Sequence, residues 1–244
     1  MEQIAFVTFQ HYYKGAMKTI RKITFLSISL LILSAVLSAV EPDGDDFTIC
    51  RVKYSGGGDW YSDPSSLPNL LAFIRKNTNM EVSAIEARYS LDDEEIFGYP
   101  YLYITGHGNI RFSDKEVANL RTFLLGGGFL HADDNYGMND SFRREMKRVF
   151  PNKKWVELPH DHPIYHCYYS FENGLPKIHE HDGKPSQGLA LFEDEQMLVF
   201  YSYESDLGDG WEDPDVHNDP KEKHQTALRM GINIFFYALT HWNE

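Results

Sequence analysis

The chain has 244 residues, 42% of them hydrophobic and 24% charged, with a formal net charge of −13. That length and apolar share suffice for one α/β domain with a substantial core. The acidic excess repels phosphates and anionic lipid, which excludes nucleic acid as a partner and restricts membrane contact to a dedicated segment.

Such a segment stands at the start. Lys14, Lys18, Arg21 and Lys22 precede an apolar run from Ile23 to Ala39. A basic region, an apolar core and small residues at its end describe a secretory signal. Residues 1–39 therefore read as a signal peptide, or as a retained anchor because the run just spans a thin bilayer. Residues 40–244 read as a single exported domain. Cleavage after Ala39 leaves 19 Lys and Arg against 35 Asp and Glu. That surface suits cations, sugars or basic partners. Cys50 and Cys167 form no CxxC motif, so a thioredoxin-like role and a four-cysteine metal site are excluded. One disulfide and two separate thiols both remain open.

Phe47 to Tyr54 has the character of a first strand, followed by the glycine-rich loop Ser55 to Tyr61. Asp63-Pro64 resembles an N-cap and first turn, and Leu67, Leu70, Leu71 and Ile74 recur at helical spacing. Strand character returns at Val82 to Tyr89 and again at Tyr101 to Thr105. Ser113 with Glu116 forms a capping box, and the helix it opens ends at Gly126 to Gly128. Phe129 to Ala132 is the next strand. Strand, helix and strand at this spacing make a parallel βαβ unit. A basic-ended helix starts at Asp140 or Ser141 and stops before Pro151. Trp155 to Leu158 reads as a short strand. Gly188 to Phe192 and Gln196 to Tyr201 read as strands joined at Glu193-Asp194-Glu195. Ser205 to Pro220 reads as a long, solvated acidic loop, and the last helix runs from about Glu222 to Ala238.

Ligand sites in parallel sheets lie at the carboxyl ends of strands. His107, between two glycines, sits at one such end, and His131, Asp133 and Asp134 at the next. His107 fits a nucleophile, a base, a ligand or a plain turn. His131 and Asp133 alternate along a strand and can face one pocket, as a base with its orienting carboxylate or as metal ligands. Asp133 or Asp134 can equally cap the next helix. His160, His162 and His166 cluster in sequence, and the metal reading uses His131, His162 and His166. His179, His181 and Asp182 read as a solvated loop. Gly57, Gly58, Asp59, Trp60 and Tyr61 lack a phosphate-loop pattern, so no nucleotide cofactor is expected. They suit a substrate wall of aromatic faces over a close backbone, with Asp134 and the exposed-looking Trp211 added. A divalent metal is the one cofactor left open.

These landmarks give the chain its resemblance. Tyr54 to Tyr61, Gly106-His107-Gly108, Gly126 to Asp134, His162-Pro163-Ile164-Tyr165 and Gly210-Trp211-Glu212 resemble a bacterial family of exported or membrane-anchored proteins, domain of unknown function 4159. The resemblance covers about residues 47 to 241. That family looks like a relative of class I glutamine amidotransferases and of trehalose-utilisation domains. It implies a flavodoxin-like three-layer sandwich with a mainly parallel sheet, placed in the bacterial periplasm or on the inner membrane. In amidotransferases the nucleophilic cysteine follows the strand after the glycine-rich helix end. Gly128 to Asp134 holds none, so the resemblance implies no glutaminase activity.

Three functions stay open. The first is binding of a small molecule or glycan without turnover. The second is a metal-assisted hydrolase acting on a carbohydrate or cell-envelope substrate. The third is a structural partner of another envelope protein.

Overall fold

The computed structural model describes residues 47–240 except 182. The signal or anchor reading of residues 1–39 lies outside them. No helix among the described residues is long and apolar enough to cross a membrane.

Seven strands form one mixed sheet: β1 (Ile49–Lys53), β2 (Ala87–Ser90), β3 (Tyr101–Ile104), β4 (Phe129–Asp133), β5 (Val156–Glu157), β6 (Gln187–Glu193) and β7 (Gln196–Tyr203). Their order is β2-β1-β3-β4-β7-β6-β5. The pairs from β2 through β7 are parallel, and β6 and β5 add an antiparallel edge. Among the described residues six α-helices flank the sheet: α1 (Ser66–Asn77), α2 (Asp114–Leu125), α3 (Asn139–Val149), α4 (Leu207–Trp211), α5 (Pro214–His217) and α6 (Lys221–Thr240). The result is an α/β domain with helices on both faces of a largely parallel sheet, consistent with a flavodoxin-like arrangement.

Strand alternation divides the core. Ile49, Tyr101, Tyr103, Phe129 and Phe200 face α1 and α6. Cys50, Val52, Leu102, Ile104, Leu130 and Tyr201 face α2 and α3 on the other side. Cys167 packs against the first of these cores, so the two thiols lie on opposite sides of the sheet and both are free. The capping box of α2 forms as the sequence predicts. Ser113 Oγ accepts from Glu116 N at 3.1 Å, and Glu116 Oε2 accepts from Ser113 N at 2.6 Å.

Three expectations need correction. First, Asp63 does not cap α1. Buried Arg51 donates to the carbonyls of Ser62 (2.8 Å) and Asp63 (3.1 Å), and Glu86 balances its charge at 2.9 Å. The chain is thereby turned with Asp63 at φ 53°, and the helix begins at Ser66. Second, only the later part of the acidic stretch is solvated: residues 205–212 are buried apart from half-buried Asp209, while 213–218 are exposed. Leu207 and Trp211 lie one helical turn apart and bury one face of α4 in the core. Third, Trp211 is fully buried. Its indole N–H donates to the Ala227 carbonyl at 2.8 Å, and its ring packs on Tyr103 and His131.

Candidate metal centre

The loops leaving β1, β4 and β7 carry Asp63, Tyr136, Glu204 and Asp206, all held in the left-handed region, at φ 53°, 70°, 58° and 65°. Such strain in non-glycine residues persists only where surrounding contacts enforce it, and it concentrates at functional sites. Asn135 Nδ2 donates to both Asp63 oxygens, at 3.1 and 2.9 Å, and Thr105 Oγ1 adds a third bond at 3.3 Å. The end of β1 is thus tied to the ends of β3 and β4.

After β7 the chain enters α4, whose first amides need acceptors. Asp133, at the end of β4, supplies them. It accepts from Leu207 N at 3.2 Å, from Gly208 N at 2.6 Å and from the Ser202 hydroxyl. This anchors α4 against the sheet edge and presents Asp209 towards the rim. A methyl group on Gly208 would sit 2.8 Å from Tyr103 Oη, 3.0 Å from Asp63 Oδ2 and 3.1 Å from Asp133 Oδ2. Only glycine lets the helix come this close to those groups.

Around Asp209 the polar side chains converge. One ligand atom each from His179, Asp209 and His217 lies within 4.8 Å of the other two, and the same holds for Asp63, Asp209 and Glu212. Asp209 belongs to both groups. His179 and His217 each turn Nδ1 towards Asp209 Oδ2, at 3.4 and 3.6 Å. Their far nitrogens are held by other carboxylates. His179 Nε2 meets Asp219 at 2.9 Å, and His217 Nε2 meets Glu212 at 3.1 Å. Ligating histidines show this pattern, with an outer carboxylate fixing the ring.

The electrostatics follow from so many acids in one place. Burial, with Asp209 beside it, pushes the Asp63 carboxyl up to about 9. Burial also raises Asp206. Asp209 lies below its ordinary value: burial opposes its ionisation, but His179 and His217 prevail. Hydrogen bonds to Asp206 and Asp209 lift His179 to about 10. An imidazolium at His179 thus offsets part of the negative charge of the cluster. Fully buried Asp206 Oδ1, Asn135 Oδ1 and Tyr103 Oη have no hydrogen-bond partner. Such groups are rare in folded proteins, and three of them meet at this edge.

The sequence candidates are placed as follows. His131 is fully buried in the sheet. Tyr101 Oη lies 2.8 Å from its Nδ1 and Ser202 Oγ 2.8 Å from its Nε2. Ser202 links it to Asp133, so the two do share a face, but a sealed one. Burial lowers His131 to about 3 and raises Asp133 to about 8 and Asp134 to about 6. His162 and His166 are not brought to His131. His162 Nδ1 accepts from Ile164 N in a 3-10 turn, and His166 bonds Ser170 and the His160 carbonyl. His107 is clamped by Asp59, which accepts from its backbone N–H and lies 3.1 Å from its Nδ1. Gly58 N donates to the Asn109 carbonyl at 3.0 Å, joining the Gly57–Tyr61 loop to that of His107. Trp60 and Tyr61 form an edge-on pair, and Tyr61 is exposed.

His179, Asp209 and His217 were missed as a group because they come from a loop and two short helices spread over 38 positions, which share no spacing signal. His179 and His181, assigned to a solvated loop, are instead held on buried Asp206 Oδ2 at 3.0 and 2.9 Å. The signal available was Leu207 and Trp211 at helical spacing around two glycines, which marks a buried turn inside the acidic run.

Fold and site together define an α/β domain with two candidate metal-coordinating groups at the carboxyl edge of its sheet. The chain belongs to the family described as domain of unknown function (DUF4159), whose model matches residues 48–239. No curated protein matches it.

Proposed function

We propose that this domain is a metal-assisted hydrolase of a carbohydrate or other cell-envelope substrate. One observation carries the reading: His179 and His217 point one nitrogen each at Asp209 and are held from behind by Asp219 and Glu212. Two imidazoles and a carboxylate suit zinc, iron or manganese. Such an ion supplies Lewis acidity and activates water near neutral pH.

The chain's own residues do the rest. Asp206 Oδ2 holds His181 at 2.9 Å and would release His179 Nδ1 to the ion, and His181 stacks on Tyr136 with ring centroids 5.0 Å apart. His181, partly exposed and held by Asp206, would take the proton from the attacking water. Exposed Tyr61 and Tyr136 offer aromatic faces to a sugar ring. They equally support glycan binding without turnover, the second reading. The basic and apolar N-terminal segment supports export, to the periplasm or to the inner-membrane surface.

Elemental analysis of untagged protein, and of chelator-treated protein reloaded with zinc, iron or manganese, tests the reading. Bound transition metal, lost in Asp209→Asn and in His217→Gln, is expected. Hydrolysis of p-nitrophenyl glycosides or of acetylated sugars by the loaded protein, absent in both variants, separates the hydrolase from the binding domain. Failure to take up any transition metal refutes the proposal.

A further inference from the structure

We propose that the centre holds two cations bridged by Asp209: a transition metal on His179 and His217, and a hard, oxygen-seeking cation on Asp63 and Glu212. This rests on the metal reading above and extends it. The two groups differ in chemistry. The first offers two nitrogens and a carboxylate, the second three carboxylates. Nitrogen-bearing sets suit zinc, iron and manganese, while all-oxygen sets suit magnesium, calcium and manganese. Each group confines its ligand atoms to 4.8 Å, and both use Asp209, so two ions would share one carboxylate.

A cluster of acids alone would not carry a site. Here an independent observation stands beside it. Tyr103 Oη is fully buried, lacks a partner, and lies with Asp63 Oδ2 and Asp133 Oδ2 around the same point at Gly208. A buried hydroxyl near two carboxylates, with no bond to either, is an oxygen available to a cation or to its water. Fully buried Asn135 adds a second orphan, Oδ1, while its amide nitrogen holds Asp63. Asp63 itself is fixed by three donors and by its left-handed backbone. It is already positioned for a ligand.

Manganese serves both groups and reports on itself. Chelator-treated protein titrated with Mn²⁺ should bind two equivalents, and the electron paramagnetic resonance signal of the second should be spin-coupled to the first. Asp63→Asn, nearly isosteric, should bind one equivalent with an isolated six-line signal. Asp209→Asn should weaken both sites at least roughly tenfold. The wild-type coupling needs no variant to fold, and thermal unfolding checks that each variant does. A single uncoupled equivalent in wild type, unchanged in Asp63→Asn, would overturn the pair and leave the one-metal reading standing. No manganese, zinc or iron bound at all would overturn both.

Discussion

At the scale of single residues, the chain separates two kinds of histidine. His131 is a core residue whose polarity is fully used, since its Nδ1 bonds the Tyr101 hydroxyl and its Nε2 the Ser202 hydroxyl. Burial lowers it to about 3, so the folded chain keeps it neutral while the unfolded chain protonates it near 6.5. Between those values the unfolded state binds more protons, so this contribution is complete above about pH 6.5 and is lost as pH falls. His131→Gln should cost about 1–3 kcal/mol at pH 7.5 by disturbing two buried bonds. It should also flatten the acid side of the stability profile, where the wild-type slope from this group approaches about 1 kcal/mol per pH unit. Chemical denaturation at pH 7.5 and 5.0 measures both, and parallel profiles would refute the assignment. The sequence could not show this. A histidine followed by Asp133 and Asp134 at a strand end looks the same whether its ring faces solvent or Phe200.

At the scale of elements, what the sequence makes legible is what repeats. The Ser113–Glu116 box, the apolar stripe of α2 and the alternation of β3 and β4 are local patterns, and they appear where the spacing predicts. Residues 160–171 are held by longer-range contacts. Asn233, fully buried on α6, accepts from Tyr169 N at 2.8 Å and donates to the carbonyls of Ile164 (3.1 Å) and Tyr169 (2.8 Å). One side chain thus serves three backbone groups of an irregular segment. Asn233→Ala leaves those groups unpaired under the helix and should destabilise the fold by about 2–4 kcal/mol. Amide exchange should quicken at Tyr169 while α2 stays protected. Uniform acceleration across both would show that the segment is not separately anchored. Asn233 sits in the apolar run Met230 to Tyr237, where the sequence shows an exception to the pattern without showing what it binds.

At the scale of the whole molecule, the carboxyl edge of the sheet concentrates acids that local stability alone would not assemble. Asp63, Asp133, Asp206 and Asp209 are all largely buried, and the first three are pushed towards their neutral forms. A ligand that binds only the folded state adds RT ln(1 + [L]/Kd), about 3 kcal/mol at a hundredfold excess over Kd. Zinc or manganese should therefore raise the unfolding midpoint by several degrees, and a chelator should reverse it. An unchanged midpoint at saturating metal would argue against a metal in this edge. The sequence locates this edge, because parallel strands ending in Gly106-His107-Gly108 and in Asp133-Asp134 announce it. It does not reveal which acids and imidazoles meet there, because those from the later half arrive through α4 and the irregular chain around it.

The two cysteines carry a consequence for handling. Cys50 lies under one layer of helices and Cys167 under the other, with the sheet between them. Burial pushes their thiols up to about 12 and about 11, which suppresses the reactive thiolate. No covalent staple can join them without taking the domain apart. The same native packing is therefore reached under reducing or oxidising conditions.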